Sequence, residues 1–375
     1  MKKVGFISLG CPKNLVDSEV MMGLLAESGF EITPDSSAAE TIVINTCGFI
    51  DAAKQESIDT ILEATKLKAS GQCRRIVVAG CLVESYAEDL RREIPEIDAF
   101  IGTSQLTQIT KACDEKTLSR TLPVLPSGNK SSTYLYNEST PRILSTPGYT
   151  AYIKIAEGCD RPCAFCSIPL MRGSFRSRRF GSVIAEAAAL AERGVKEIIL
   201  IAQDSSRYGE DLGEKDALAH LIRELCRIDG IEWVRAMYTY PTHISDAFLD
   251  VLATEPKAVK YLDMPLQHAS QKVLKLMRRG GTKQGLERLI KRVREKVPGI
   301  AIRTTFITGF PGETEADFEE LLCFVRNVEF DRVGVFTYSD EGSTPAYDLP
   351  DKVKRHVAER RKEKLMKEQA RISKQ

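Results

Sequence analysis

The stretch Tyr152-Ile153-Lys154-Ile155-Ala156-Glu157-Gly158-Cys159-Asp160-Arg161-Pro162-Cys163-Ala164-Phe165-Cys166 decides how this chain is read. It opens as a strand, Tyr152 to Ile155, and turns at once into three cysteines spaced C-x3-C-x2-C. Thiolates this close either hold a metal or repel one another as they ionise. Four would close a tetrahedral zinc site or saturate a cubane iron–sulfur cluster, but the next cysteine is Cys226. Three thiolates on a four-iron cubane leave one iron open, much as a catalytic zinc keeps one position free. An open iron binds a substrate or cofactor directly. The competing readings are a zinc knuckle with a distant fourth ligand and three unrelated core cysteines.

Upstream, the N-terminal third repeats one pattern three times. Apolar strands are expected at Val4 to Leu9, Thr41 to Ile44 and Arg75 to Ala79. Each runs into a cysteine turn: Gly10-Cys11, Asn45-Thr46-Cys47-Gly48 and Gly80-Cys81. Helical patterns follow at Leu15 to Ser28, Phe49 to Lys68 and Tyr86 to Glu93. Strands alternating with helices predict βαβ units and an open parallel sheet. The carboxyl edge of such a sheet is where ligands bind. Cys11, Cys47 and Cys81 are therefore expected to converge on a second three-ligand cluster. The bland alternative is that cysteines in such turns are inert.

Leu122 to Gly148 carries Pro123, Pro126, Pro141 and Pro147 among Ser, Thr, Gly and Asn, and reads as a linker or extended crossing segment. From Thr150 the alternation resumes. Strands are expected at 151–155, 197–201, 233–238, 261–264, 300–306 and 332–336, with helical patterns between them. Six units are too few for a closed eight-stranded barrel and suit a partial (β/α)6, TIM-like one, with chemistry at the carboxyl ends of its strands. Domains are expected at 1–122 and 149–345, joined by a linker at 123–148 and followed by a helical tail at 346–375. The tail is mostly Lys, Arg and Glu and reads as an exposed helix.

The 375 residues carry a net charge of +1, so the whole-molecule field predicts no polyanion partner. No apolar run approaches the roughly 20 residues of a membrane span. The N-terminal apolar run is too short for a signal peptide. The expected compartment is the cytoplasm, where thiols stay reduced and ten cysteines read as ligands or core residues. Cys73, Cys113, Cys226 and Cys323 have no ligand-like neighbours, and the last two fall in helical patterns that imply core positions.

Other candidates lie on the catalytic face. Gly309-Phe310-Pro311-Gly312 opens a helix, where backbone comes close to a ligand and anionic groups are favoured, or it is only a tight turn. Gln203-Asp204 ends a strand and offers hydrogen bonds to a ligand, against plain helix capping. His268 ends another strand; a lone histidine is more often structural. Arg172, Arg176, Arg178 and Arg179, interleaved with Phe175 and Phe180, suit an acidic surface or phosphates, or else a solvated, ion-paired face.

With both triads in place the chain resembles the methylthiotransferases, radical S-adenosylmethionine (SAM) enzymes with a second cluster domain. The resemblance covers essentially every residue. It rests on Gly10-Cys11-Pro12-Lys13-Asn14-Leu15-Val16-Asp17-Ser18-Glu19, Asn45-Thr46-Cys47, Gly80-Cys81-Leu82 and Ile155-Ala156-Glu157-Gly158-Cys159. Cys11-Pro12-Lys13-Asn14 with Val16-Asp17-Ser18-Glu19, Ala202-Gln203-Asp204, Pro265-Leu266-Gln267-His268 and Val335-Phe336-Thr337-Tyr338-Ser339 look like the branch that modifies a ribosomal protein rather than the branch that modifies transfer-RNA adenosine.

The resemblance implies two [4Fe-4S] clusters and SAM. Cys159, Cys163 and Cys166 would hold the cluster that cleaves SAM to a 5′-deoxyadenosyl radical, with Gln203, Gly309 and Gly312 near the SAM. The radical would take hydrogen from the β-carbon of an aspartate in ribosomal protein twelve of the small subunit. Cys11, Cys47 and Cys81 would hold the auxiliary cluster that presents sulfur, and a further SAM would methylate it. An electron donor such as flavodoxin or ferredoxin is implied, and no membrane. Family members usually continue into a small β-barrel TRAM domain, so a chain ending at Gln375 reads as a truncated one. The rivals are the same chemistry on transfer RNA, which the arginine run would suit, and an iron–sulfur carrier with no enzymatic step. Saturated clusters normally have four ligands, which argues against a carrier.

Overall fold

The computed structural model describes residues 2–114 and 134–374. They form two compact bodies, Met1–Asp160 with Ile168–Arg178, and Arg161–Ser167 with Arg179–Gln375.

In the first body, β1 (Lys3–Ser8), α1 (Pro12–Glu27), β2 (Glu31–Thr33), β3 (Thr41–Thr46), α2 (Asp51–Ala69), β4 (Arg75–Gly80), α3 (Cys81–Glu93), β5 (Ala99–Ile101) and α4 (Ile109–Cys113) succeed one another. The strands make one parallel sheet in the order β2-β1-β3-β4-β5. Alternation along the strands supplies two apolar faces. Ile42, Ile44, Ile76 and Val78 pack with Ile61 of α2 and Leu90 of α3. Val43, Val77 and Ala79 pack on the other side with Met21 and Leu25 of α1 and Ile109 of α4. A parallel sheet covered on both faces is the stable solution for such strands. The edge strands β2 and β5 were not expected, because three residues each are too few to show a period.

The same body contains β6 (Thr150–Lys154), β7 (Ala156–Glu157), α5 (Ile168–Arg172) and β8 (Arg176–Ser177), with β7 and β8 paired antiparallel. The expected linker falls partly on 115–133, so Pro123 and Pro126 lie outside the described residues. Its described part is anchored along α1. Arg142 pairs with Glu19 at 2.5 Å, and the Ser145 and Ile143 amides donate to the same glutamate at 2.7 and 3.1 Å. Gly23 of α1 lets this crossing segment lie against the helix: an added Cβ would sit 2.3 Å from the Pro141 carbonyl oxygen.

The second body runs α6 (Phe180–Glu192), β9 (Glu197–Ile201), α7 (Ala217–Cys226), β10 (Trp233–Ala236), α8 (Asp246–Thr254), β11 (Tyr261–Asp263), α9 (Gln271–Leu276), α10 (Lys283–Lys296), β12 (Ala301–Thr308), α11 (Glu315–Val328), β13 (Arg332–Thr337) and α12 (Arg355–Ile372). β9 pairs with β10, and β11, β12 and β13 follow in order, all parallel. The Thr239 amide donates to the Asp263 carbonyl at 2.9 Å and links the ends of β10 and β11. Phe306, Phe324 and Phe330 pack edge-on or tilted, with centroids 5.8–6.4 Å apart. The chain is thus α/β throughout, an open parallel sheet followed by incomplete parallel βα repeats, as the sequence implied.

Two expectations are corrected. α12 is not simply exposed: Ala358, Arg361, Leu365, Gln369 and Ile372 are buried along one stripe. Its Gln369 donates to the Phe330 carbonyl at 2.7 Å. Only three apolar residues mark that stripe, so the charges hid it. Cys226 is buried, but Cys323 is exposed, on the outer face of α11.

Gly23→Ala should destabilise the first body by about 1–3 kcal/mol through overpacking against the crossing segment. Gly181→Ala, where nothing lies within 4 Å of the new methyl, should be neutral. Thermal unfolding of the two variants checks this; equal midpoints would contradict it.

Candidate functional site

Parallel register delivers the first cysteine triad to one edge. Ser8 aligns with Asn45, Asn45 with Ala79, and Thr46 with Gly80, so the three strands end level. Strand order reverses between β1 and β3, and ligands of open α/β sheets bind at such a switch point, outside the carboxyl ends. Cys11 follows β1, Cys47 follows β3, and Cys81 opens α3 after β4.

Glycines let these turns close on one another. Gly10 has φ +86°, and a Cβ there would lie 2.7 Å from Cys47 Cβ. Gly80 has φ +97°, and a Cβ there would strike Asn45 Oδ1 at 2.4 Å. Two asparagines then tie the turns. Asn14 Nδ2 donates to the carbonyls of Leu9, Asn45 and Thr46 at 2.7, 3.2 and 3.3 Å. Asn45 Nδ2 donates to the Asn14 carbonyl at 2.8 Å and to Ser18 Oγ at 2.9 Å. The Cys47 amide donates to Ser57 Oγ, which donates back to the Cys47 carbonyl.

The thiols feel one another electrostatically. Burial pushes Cys81 up to about 12, with Arg172 opposing and Cys11 and Cys47 adding to the rise. Burial likewise raises Cys47. Burial also works against ionising Cys11, but Lys13, Arg172 and backbone amides outweigh it and lower its pKa. Among the described residues, no group of three or more His, Cys, Asp or Glu side chains is placed to hold a single metal ion.

Beneath this edge lies a buried charge network that sequence reasoning missed. Lys154 pairs with Asp17, and with Glu157 at 2.6 Å. Arg172 Nη1 reaches Asp17 at 2.8 Å and Glu157 at 3.2 Å, while Nη2 donates to Asn14 Oδ1 at 3.3 Å and Cys81 Sγ at 3.5 Å. All four charged side chains are almost wholly buried. The partners stand up to 155 positions apart, so no local pattern revealed them. The expected arginine surface is therefore not continuous. Arg172 and Arg178 are internal, the latter over the Tyr136 ring at 4.3 Å, and only Arg176 and Arg179 are exposed.

The second triad divides between the bodies. Cys159 belongs to the first. Gly158 before it has φ +77°, and a Cβ there would lie 2.1 Å from the Ser174 carbonyl oxygen. The Cys159 amide donates to the Gly173 carbonyl at 3.0 Å, and the Phe175 amide to Asp160 Oδ1 at 3.1 Å. Cys163 and Cys166 belong to the second body, where the residues between them are packed into its core. Ala164 joins Val273, Met277 and Phe310, with Phe165 against them. The Ala164 amide donates to the Met277 carbonyl at 2.9 Å, and its carbonyl accepts from Ala346 at 2.8 Å. Arg279 donates to Cys163 Sγ at 3.7 Å. Both Arg279 and Arg161 lie over the Tyr240 ring, at 4.2 and 4.0 Å, and Arg161 pairs with Asp204 at 2.7 Å. Two guanidiniums and one carboxylate make this corner favourable to anions.

Gln203 stands just past β9, and Asp204 both caps the Ser205–Arg207 turn and holds Arg161. Gly309 and Gly312 both have positive φ in the turn between β12 and α11. The amides of Gly309 and Phe310 donate to the Glu313 carboxylate. A Cβ at Gly309 would meet Ala358 of α12 at 2.3 Å. His268 is buried; its Nδ1 accepts from the Ser270 amide at 2.9 Å and its Nε2 lies 3.9 Å from Glu313.

Comparison with known proteins matches residues 3–102 to Uncharacterized protein family UPF0004 and residues 153–325 to the Radical SAM superfamily. The ribosomal protein uS12 methylthiotransferase RimO of Solibacter usitatus is 52% identical over 373 residues, 99% of this chain and 78% of that one. The protein of the same name from Geobacter sulfurreducens is 50% identical, over 99% of this chain and 83% of its own. This chain belongs to the RimO family. It is an enzyme of the radical SAM methylthiotransferase type. Its fold is also that of the radical SAM methyltransferase TsrM of Kitasatospora setae, with TM-score 0.67 and 14% identity over 99% of this chain and 89% of that one. The motifs quoted around Cys11, Cys47, Cys81 and Cys159 each hold a thiol together with a turn glycine or an asparagine tie.

Asn14→Leu removes three hydrogen bonds from the cysteine turns and should cost the first body about 1–3 kcal/mol. Cys11 and Cys47 of the reduced, metal-free protein should then alkylate faster, read by mass spectrometry. Unchanged alkylation would show that Asn14 does not hold the turns.

Proposed function

We propose that this enzyme adds a methylthio group to the β-carbon of an aspartate in ribosomal protein uS12, using SAM and two [4Fe-4S] clusters. The observation that carries the reading is the meeting of three cysteine turns, packed together through Gly10 and Gly80, at the sheet's switch point, in a chain that also holds C-x3-C-x2-C. The identity to proteins named for uS12 supports the substrate.

The donor sets fit the groups. Cys11, Cys47 and Cys81 would hold the auxiliary cluster, and Cys159, Cys163 and Cys166 the SAM-cleaving one; clustered soft thiolates suit iron–sulfur centres. In this reading residues 1–122 house the auxiliary site and 149–345 the radical SAM domain. When bound, the two clusters supply what side chains lack, reductive cleavage of SAM for hydrogen abstraction and a sulfur for transfer. The chain's own part is to hold, orient and exclude water. Asn14 and Asn45 hold the first set of turns, and Gly158 the approach of Cys159. Arg161 and Arg279 keep the Cys163 corner cationic for an anionic group such as the SAM carboxylate. Gln203 is assigned to the methionine or ribose part of SAM, and Gly309 and Gly312 shape the turn beside it, Glu313 holding the amides. Flavodoxin or ferredoxin is the proposed class of electron donor. The split arginine run gives the transfer-RNA reading no support.

Anaerobically reconstituted protein should hold about eight irons, as two four-iron clusters. Replacing Cys159, Cys163 and Cys166 by Ala should halve this and abolish SAM cleavage. Replacing Cys11, Cys47 and Cys81 should halve it too, yet leave 5′-deoxyadenosine formation detectable. Either triple variant keeping all its iron would refute the assignment.

A further inference from the structure

We propose that Arg172 is a positioning residue that tunes the auxiliary site through Cys81 without being needed to assemble it. This rests on the reading that Cys11, Cys47 and Cys81 hold a four-iron cluster. The guanidinium is fully buried, and its fork is divided. Nη1 faces Asp17 and Glu157, while Nη2 faces Asn14 Oδ1 and, at 3.5 Å, Cys81 Sγ. A planar fork does this where a point charge cannot.

The charges around it explain why it is held so firmly. Arg172 and Lys154 give +2, Asp17 and Glu157 give −2, and the four cancel. Within this neutral network Arg172 is the member that donates to Cys81. Hydrogen bonds to the sulfurs are among the determinants of an iron–sulfur potential. A donor on a ligand sulfur stabilises the more electron-rich, reduced state more than the oxidised one. The thiols themselves are brought together by Gly10, Gly80, Asn14 and Asn45; of these only Asn14 touches Arg172, through Oδ1, while its Nδ2 makes the three bonds to the cysteine turns.

The test uses the full chain with Cys159, Cys163 and Cys166 replaced by Ala, so that one site remains. In that background, four proteins are reconstituted anaerobically: Arg172 intact, Arg172→Lys, Arg172→Met, and Arg172→Met with Asp17→Asn. The last keeps the network neutral, with Lys154 against Glu157, and guards against misfolding of the single variant. Iron content and an electron-paramagnetic-resonance redox titration are read. The charge-balanced variant should keep its iron and disfavour the reduced state about tenfold, about 59 mV lower for one electron. Arg172→Lys should fall between it and the intact protein. An unshifted potential with iron retained would overturn the proposal. So would loss of iron from both the Lys and the charge-balanced variants, which would make Arg172 part of the scaffold. An iron-free background with Arg172 intact would instead refute the cluster assignment beneath it.

Discussion

The level ending of three parallel strands is the constraint on which the rest depends. Register places Thr46 beside Gly80 and Asn45 beside Ser8, so that residues dozens of positions apart finish at one edge. Everything above that edge is close packing of backbone. Glycines at 10 and 80 adopt conformations that other residues rarely do, and each would collide with a neighbouring turn if it bore a side chain. Thiols need such closeness to act together, and a parallel sheet supplies it without a continuous motif.

The close packing has an electrostatic cost that the first body meets internally. Four charged side chains lie buried beneath the thiols. Removing one partner of such a network typically costs about 3–5 kcal/mol, because the other charge stays buried. Their value is positional: they join α1, the strand after the crossing segment and α5 to the cysteine edge. Glu19 does similar work with Arg142, which explains why α1 buries acids along its length.

Much of this was legible in the sequence. Short apolar runs marked β1, β3 and β4 to within about two residues, and the spacing of Cys159, Cys163 and Cys166 pointed to a ligand set. The arrival of the turns bearing Cys11, Cys47 and Cys81 at one sheet edge followed from their common place after a strand. What stayed hidden was non-local or thinly signalled. The pairing of Arg172 with Asp17 spans 155 positions. β2 and β5 are three residues long. α12 buries one stripe under a run of lysines and glutamates, and the capture of the Gly309 amide by Glu313 depends on a side-chain rotamer.

The central claim is that these two thiol sets serve one reaction, on an aspartate of uS12. Mass spectrometry of isolated uS12 and of transfer RNA, after anaerobic incubation with the reconstituted enzyme, SAM, sulfide and reductant, tests it most directly. The account requires a methylthio group on a uS12 aspartate and unmodified RNA. Methylthio-adenosine in the RNA, with uS12 untouched, would contradict it.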